Sequence, residues 1–180
     1  MPNIKPASPQ SAFFKGLLIA IGGLAILLLL MRSHQPMPAG RATGTPMPPI
    51  KAAGWLNGEA PTTDELSNKV LVIDAWASWC GPCRRKAPEM IELHDKYQPQ
   101  GVEFIGLSSQ TADELDDMQG FLQQTGIKWK NAYGAEETLR DLGAEYIPMV
   151  WVVDRHNQIV WNQASSISLD EGIRQALAAK

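Results

Sequence analysis

The chain has 180 residues and two cysteines, and both lie in the pentapeptide Trp79-Cys80-Gly81-Pro82-Cys83. This follows the apolar run Val70-Leu71-Val72-Ile73-Asp74-Ala75-Trp76. The run reads as a strand and the residues after Cys80 as a helix. Pro82 has a preset helical φ and no N–H, which suits a first helical turn. Cys80 then stands at the helix N-terminus, where free N–H groups and the macrodipole favour an anion. A thiolate held there has a lowered pKa and becomes a nucleophile. Cys83, one turn further on, can close a ring with Cys80, and the pair can cycle between dithiol and disulfide through a mixed disulfide. The expected roles are Cys80 as the exposed attacking thiol and Cys83 as the buried resolving one.

Competing uses of two cysteines are less well served. A structural zinc site calls for about four ligands, but there is no second cysteine pair, and His34, His94 and His156 are scattered. No metal site is expected. A purely structural role is disfavoured because a two-residue loop constrains the unfolded chain little. Cu(I) held by the two thiols with a Met or His stays open as an alternative, since soft ligands suit it. Asp74 stands out as an acid in an apolar run, six residues before Cys80. Strand alternation puts it on the same face as Trp76, and burial there would raise its pKa. A solvated strand-end aspartate is the plainer reading.

The elements that would position these groups alternate along the chain. Pro82 to about Tyr97 reads as a helix and Val102–Leu107 as a second strand. Thr111-Ala112-Asp113-Glu114 is a capping box that opens a helix ending near Gly126. A short strand near Lys128–Asn131 and a short helix near Glu136–Leu142 follow. Met149–Val153 is a strand, 154–157 a turn and Gln158–Asn162 a returning strand, with Ser168 capping a last helix to about Ala179. The order predicts an α/β fold with a central mixed β-sheet flanked by helices. His94 reads as helix surface.

The N-terminal third has a different composition. After a tail at 1–12, residues 13–31 form a transmembrane candidate, without a charge from Gly16 to Met31. Sixteen helical residues span roughly 24 Å, and Phe13-Phe14 with a snorkelling Lys15 extend this toward the full core. Met31-Arg32-Ser33-His34 fits signal cleavage poorly, so an uncleaved anchor is the preferred reading. Lys and Arg on the two sides do not decide the orientation. Residues 32–54, rich in Pro and Gly, read as a linker, with the globular domain at 55–180. The net charge of −3 and a pI near 5.6 argue against a nucleic-acid partner.

Trp76-Ala77-Ser78-Trp79-Cys80-Gly81-Pro82-Cys83-Arg84, Pro88, and Ile147-Pro148 before a strand resemble the thioredoxin superfamily. Within it, the chain is most similar to the membrane-anchored TlpA/ResA-like branch over roughly residues 55–179. The resemblance implies a thioredoxin-like fold, with the helix and short strand between Thr111 and Asn131 as that branch's central insertion. It matches Pro148 to the family's cis-proline. It also gives Ile147, with Trp79, Gly81, Pro82 and Pro148, a place in binding the substrate strand. Asp74 matches the buried acid that takes or relays the proton of the resolving thiol. One residue departs from the branch, many of whose members carry a glutamate three residues after the second cysteine. Here Lys86 stands there, within Arg84-Arg85-Lys86. That puts in doubt the carry-over of the glutamate's specialised role in cytochrome c maturation.

The combined expectation is a single-pass protein of the cytoplasmic (inner) membrane, its domain on the periplasmic or extracytoplasmic side. It would reduce disulfides of partner proteins through Cys80 and Cys83, with Asp74 handling the proton. The redox-active disulfide would serve in place of any bound cofactor, and the resemblance implies a transmembrane electron donor. Trp76 and Trp79 are expected to flank the dithiol and Met149 to meet the substrate. A dithiol oxidant or isomerase, a copper-delivery protein using the same thiols, and an inert adaptor are the alternatives.

Overall fold

The computed structural model describes residues 21–23 and 40–179. The chain divides into two units, 1–37 and 38–180, and among the described residues every strand belongs to the second. Apart from Ile21–Gly23, which are helical, the apolar segment 13–31 lies outside the described residues, as do the tail 1–12 and positions 32–39. Among the described residues no helix is long and apolar enough to cross a membrane.

Six strands form one sheet: β1 (Gly54–Leu56), β2 (Val70–Ala75), β3 (Val102–Leu107), β4 (Lys130–Tyr133), β5 (Met149–Val153) and β6 (Ile159–Asn162). Their order across the sheet is β1-β4-β3-β2-β5-β6. β2, β3 and β4 run parallel, while β1, β5 and β6 pair antiparallel with their neighbours. The mixed thioredoxin-like sheet is therefore as expected. β2 is buried at every position, which is what a central strand covered on both faces requires.

Five helices accompany the sheet: α1 (Thr63–Leu66), α2 (Gly81–Tyr97), α3 (Leu115–Thr125), α4 (Glu136–Asp141) and α5 (Leu169–Ala178). α2 buries Cys83, Ala87, Met90, Leu93 and Tyr97, a stripe at helical spacing. That stripe joins Val70, Val72 and Trp76 from the strand side, with Phe121 of α3 and Ile173 of α5, in one core cluster. The alternate residues Leu71, Ile73 and Ala75 enter a second cluster on the other face, with Leu139 of α4, Met149 and Trp151. The period-2 alternation of β2 thus builds a helix–sheet–helix sandwich. α3 is opened by a 3₁₀ turn at Ala112–Glu114 carrying the Thr111/Glu114 capping box. It stops at Gly126, whose φ of +81° suits glycine.

The described part of the segment read as a linker does not behave as one. Residues 40–53 lie along the second face as a strap. Arg41 N–H donates to Leu142 O (2.6 Å), Met47 N–H to Asn157 O (2.9 Å) and Ala53 N–H to Tyr133 O (2.8 Å), while Thr45 O accepts from Ile159 N–H (2.8 Å). Lys51 N–H donates to the buried Thr138 Oγ1 (2.7 Å), and the Met47 side chain is buried. The three prolines of this stretch have no N–H to satisfy, and Gly44 N–H also finds an acceptor, Ile159 O, at 2.8 Å. β1 and α1, three and four residues long, have too few positions to show a periodicity.

Candidate functional site

Cys80 and Cys83 form a disulfide with their Cα atoms 5.2 Å apart. Cys80 is the N-cap of α2, and Cys83 N–H donates to its Sγ at 3.1 Å. The expected helix-terminus position of Cys80 is therefore met, with a free donor already directed at its sulfur. The expected contrast in exposure is not: both residues are buried, Cys80 at 3% and Cys83 at 6%. Both residues belong to the core cluster that also holds Trp76, Ala77, Ala87 and Met90.

The aromatic flanks differ from each other. Trp79 is 70% exposed, and Gly81 and Pro82 are also exposed. Trp76 is buried and stacks on Phe121 of α3, with ring centroids 4.7 Å apart. The Ile147–Pro148 peptide bond is cis, and both residues are half-buried. Met149 pairs with Ala75 in the β2–β5 register, which sets Pro148 beside the chain entering the dithiol loop. Met149 itself is fully buried in the cluster on the opposite sheet face. It cannot meet a substrate there.

Asp74 lies in the buried strand, on the face that α2 covers, and is 7% exposed. Burial pushes its carboxyl up to about 7, and the Lys86 cation pulls in the other direction. A solvated strand-end reading does not hold. Lys86, one turn beyond Cys83, is itself mostly covered, with Nζ 3.4 Å from Glu89 Oε2. Asp74 aligns with Gly106 of β3, which aligns with Asn131 of β4. A Cβ at 106 would collide with Asn131 Oδ1 and the Trp76 indole Nε1, so only glycine fits between them. Those two buried atoms have no hydrogen-bond partner among the described residues. A polar strip therefore runs under α2 beside the dithiol.

Gln110 was not singled out by its sequence context. It is 4% exposed, and its amide holds Ser78, two residues before Cys80. His94 departs from the surface reading in another way. It is half-buried, and its ring packs 5.3 Å from Phe104 and 5.2 Å from Trp129. Among the described residues no group of three or more His, Cys, Asp or Glu side chains is arranged to hold a metal. A groove of about 780 Å³ between the strap, α1 and the β5–β6 turn is lined by none of the dithiol residues.

The Redoxin family model matches residues 42–177, which takes in most of the described strap as well as the whole sheet. The chain belongs to the Redoxin family. Its similarity to the "Thiol:disulfide interchange protein HelX" of Rhodobacter capsulatus is 30% identity, covering 87% of this chain and 88% of that one. To the "Thiol-disulfide oxidoreductase ResA" of Bacillus anthracis it is 31%, covering 58% of this chain. The chain spans about 60% of the length of that relative. Among solved structures, a putative DsbE from Chlorobium tepidum matches with a TM-score of 0.64 and 27% identity, over 76% of this chain and 98% of that one. A thiol-disulfide isomerase from Corynebacterium glutamicum (TM-score 0.66, 20% identity, 76% and 99% covered) shares the fold. The resemblance to ResA-like proteins and the thioredoxin-like fold are both borne out. This Redoxin member carries a Cys-x-x-Cys disulfide in the fold of proteins named thiol-disulfide oxidoreductases and interchange proteins.

Proposed function

We propose that this protein is a membrane-tethered thiol–disulfide oxidoreductase that reduces disulfides of extracytoplasmic partner proteins. The observation that carries the chemistry is the Cys80 sulfur at the N-cap of α2, 3.1 Å from the Cys83 N–H. In the dithiol form that donor and the helix terminus stabilise a Cys80 thiolate. The thiolate attacks one sulfur of a partner disulfide. A Cys80–partner mixed disulfide forms and the other partner sulfur leaves as a thiolate. Asp74, buried under the helix, takes the proton of Cys83. The Cys83 thiolate then attacks Cys80 Sγ, which releases the second partner thiolate and restores the Cys80–Cys83 disulfide. Trp79, Gly81, Pro82, Ile147 and Pro148 form the surface on which the partner segment lies.

The reductive direction is supported by the Gly81-Pro82 dipeptide, which is that of thioredoxin, at the reducing end of the potential scale. The tether is supported by the charge-free run from Gly16 to Met31. A reductase on the outer side of a membrane is left oxidised after each turnover, so a transmembrane donor of electron pairs is part of the proposal. The deciding experiment is the reduction potential of the pair, measured against glutathione. A value near thioredoxin's, about −270 mV, supports the reductase, and one near about −180 mV or above assigns it to the isomerases and oxidants. Membrane fractionation with and without residues 13–31 tests the tether. Recovery of both forms in the soluble fraction would remove it.

A further inference from the structure

Ser78, Trp79 and Cys80 form the loop that delivers the nucleophile to its helix, and the Gln110 side chain reaches them from the start of the β3–α3 insertion. Its Oε1 accepts from Ser78 N–H at 2.6 Å, and its Nε2 donates to Ser78 Oγ at 2.8 Å and to Glu114 Oε1 at 2.7 Å. The amide's orientation follows from its partners. A backbone N–H only donates and a carboxylate only accepts, so oxygen must face Ser78 N and nitrogen must face Glu114. The Gln110 backbone is itself fastened: its N–H donates to Ser108 Oγ (3.2 Å) and its carbonyl accepts from Gly134 N–H (2.7 Å). Glu114 is held by the capping box, accepting from Thr111 N–H at 3.1 Å. A buried amide using three of its four hydrogen-bonding positions on fixed partners is a rigid strut.

We propose that Gln110 is a positioning residue for the dithiol: it clamps the loop before Cys80 to the turn that opens α3. The proposal rests on the reading of Cys80 as the attacking thiol. α3 also grips the motif at its two ends. Phe121 stacks on Trp76 before the loop, and Arg84 after it lies over the same ring, 4.8 Å from the centroid, with Nη1 donating to Gln124 Oε1 at 2.9 Å. Gln110 holds the middle. Inside the loop, Cys80 N–H donates to Ala77 O at 3.0 Å, so fixing Ser78 fixes the turn that aims Cys80.

The clamp matters more in one redox state than in the other. While Cys80 and Cys83 are bonded, the disulfide ring holds Cys80 on the helix terminus. When the bond opens, that restraint is lost, and the Ala77 turn and Gln110 are left to hold the thiolate within reach of the terminal N–H groups. The benefit of a helix terminus falls off within one turn. Loss of the clamp therefore destabilises the reduced form more than the oxidised one, which makes the pair harder to reduce and raises the Cys80 thiol pKa. A merely structural role would weaken both forms equally and leave both readouts in place.

The test uses the full chain, with Gln110→Ala and the milder Ser78→Ala, which removes only the bond to Oγ. The equilibrium with glutathione gives the reduction constant. Iodoacetamide alkylation of the reduced protein across pH, with mass mapping of the labelled cysteine, gives the thiol pKa. Gln110→Ala is expected to lower the reduction constant about tenfold, about 30 mV, and to move Cys80 alkylation to higher pH. Ser78→Ala is expected to shift both in the same direction, by about threefold. A Gln110→Ala protein that is less stable in both redox forms, with reduction constant and alkylation profile unchanged, overturns the proposal. If Gln110→Ala does not fold, Ser78→Ala decides: a shift supports the clamp and its absence overturns it. If the fast thiol of the unsubstituted protein maps to Cys83, the attacking assignment fails, while the effect of the clamp on the pair's equilibrium is still read separately.

Discussion

Asp74 is a carboxyl group in a strand otherwise made of Val, Leu, Ile and Ala, and it is covered on the face that α2 crosses. With a pKa of about 7, raised by burial, it is a base matched to neutral pH. The same shift has a stability consequence. A carboxyl whose folded pKa lies above its unfolded value costs nothing below about pH 4, where it is protonated in both states. The cost builds between about pH 4 and about pH 7, where the unfolded carboxyl has ionised and the buried one has not, and it is constant above that. Asp74→Asn is therefore expected to be more stable than the unsubstituted protein by about 2–4 kcal/mol at pH 8, with the gap closing toward pH 4. Denaturant unfolding of the two oxidised proteins across pH reads this directly. The same variant is expected to slow the decay of the mixed disulfide about a hundredfold near neutral pH. Equal stabilities at pH 8, with unchanged kinetics, would remove Asp74 from the site. Lys86→Gln removes the cation that holds the Asp74 pKa down, so the inflection in both profiles is expected to move to higher pH. At this scale the sequence was readable where chemistry is local. Cys80 at a helix start and Asp74 in an apolar run both follow from near neighbours. Burial of Met149, exposure of Trp79 and the coverage of Cys80 do not, because they depend on which sheet face and which distant chain lie alongside. Gln110 was illegible for the same reason: it meets Ser78 across 32 residues of sequence.

The elements that carry the site were legible because their patterns are long. β2 and β3 are near-continuous apolar runs of strand length, α2 and α3 carry apolar residues at helical spacing, and the capping box at Thr111 marks where α3 is prepared. For the strap, composition and hydrogen bonding point in different directions, and hydrogen bonding decides. Five prolines in 32–54 suggest an unattached spacer, yet the N–H groups of Arg41, Gly44, Met47, Lys51 and Ala53 donate to Leu142, Ile159, Asn157, Thr138 and Tyr133, far along the chain. Thr138 is the point at which this can be tested. Its buried hydroxyl accepts from Lys51 N–H at 2.7 Å and lies 3.2 Å from the Lys51 carbonyl. Thr138→Val keeps the shape and removes the acceptor of this part-buried N–H, at a cost of about 1 kcal/mol. A domain begun at Trp55 is expected to lose more than that single change, because it also uncovers the second core face around Met47. Thermal unfolding of a domain begun at residue 40 beside one begun at 55 compares them. Equal midpoints would return the strap to the status of a linker.

At the scale of the whole molecule the dithiol is part of the core rather than an appendage. Cys80 and Cys83 belong to the same cluster as Val72, Met90, Phe104, Phe121 and Ile173, which ties α2, α3 and α5 to the sheet. The redox state of two sulfurs is therefore linked to the stability of the entire fold. The linkage is a closed cycle: the difference in folding free energy between oxidised and reduced protein equals the difference in reduction free energy between the unfolded and folded pair. For this two-electron couple 30 mV corresponds to about 1.4 kcal/mol. A reductase has a folded pair that favours the disulfide, so its oxidised form is the harder to unfold. An oxidant has the reverse, with the reduced form stabilised by the fold. For this protein the expected result is an oxidised form more stable by about 1–3 kcal/mol, read as a higher denaturant midpoint with the same slope. The measurement is independent of any glutathione titration and of the choice of partner protein. A reduced form that outlasts the oxidised one would place the protein among the oxidants, even if it reduced a model disulfide in the tube. Such a result would mean that the donors at the N-terminus of α2 stabilise the Cys80 thiolate by more than the bond to Cys83 stabilises the fold.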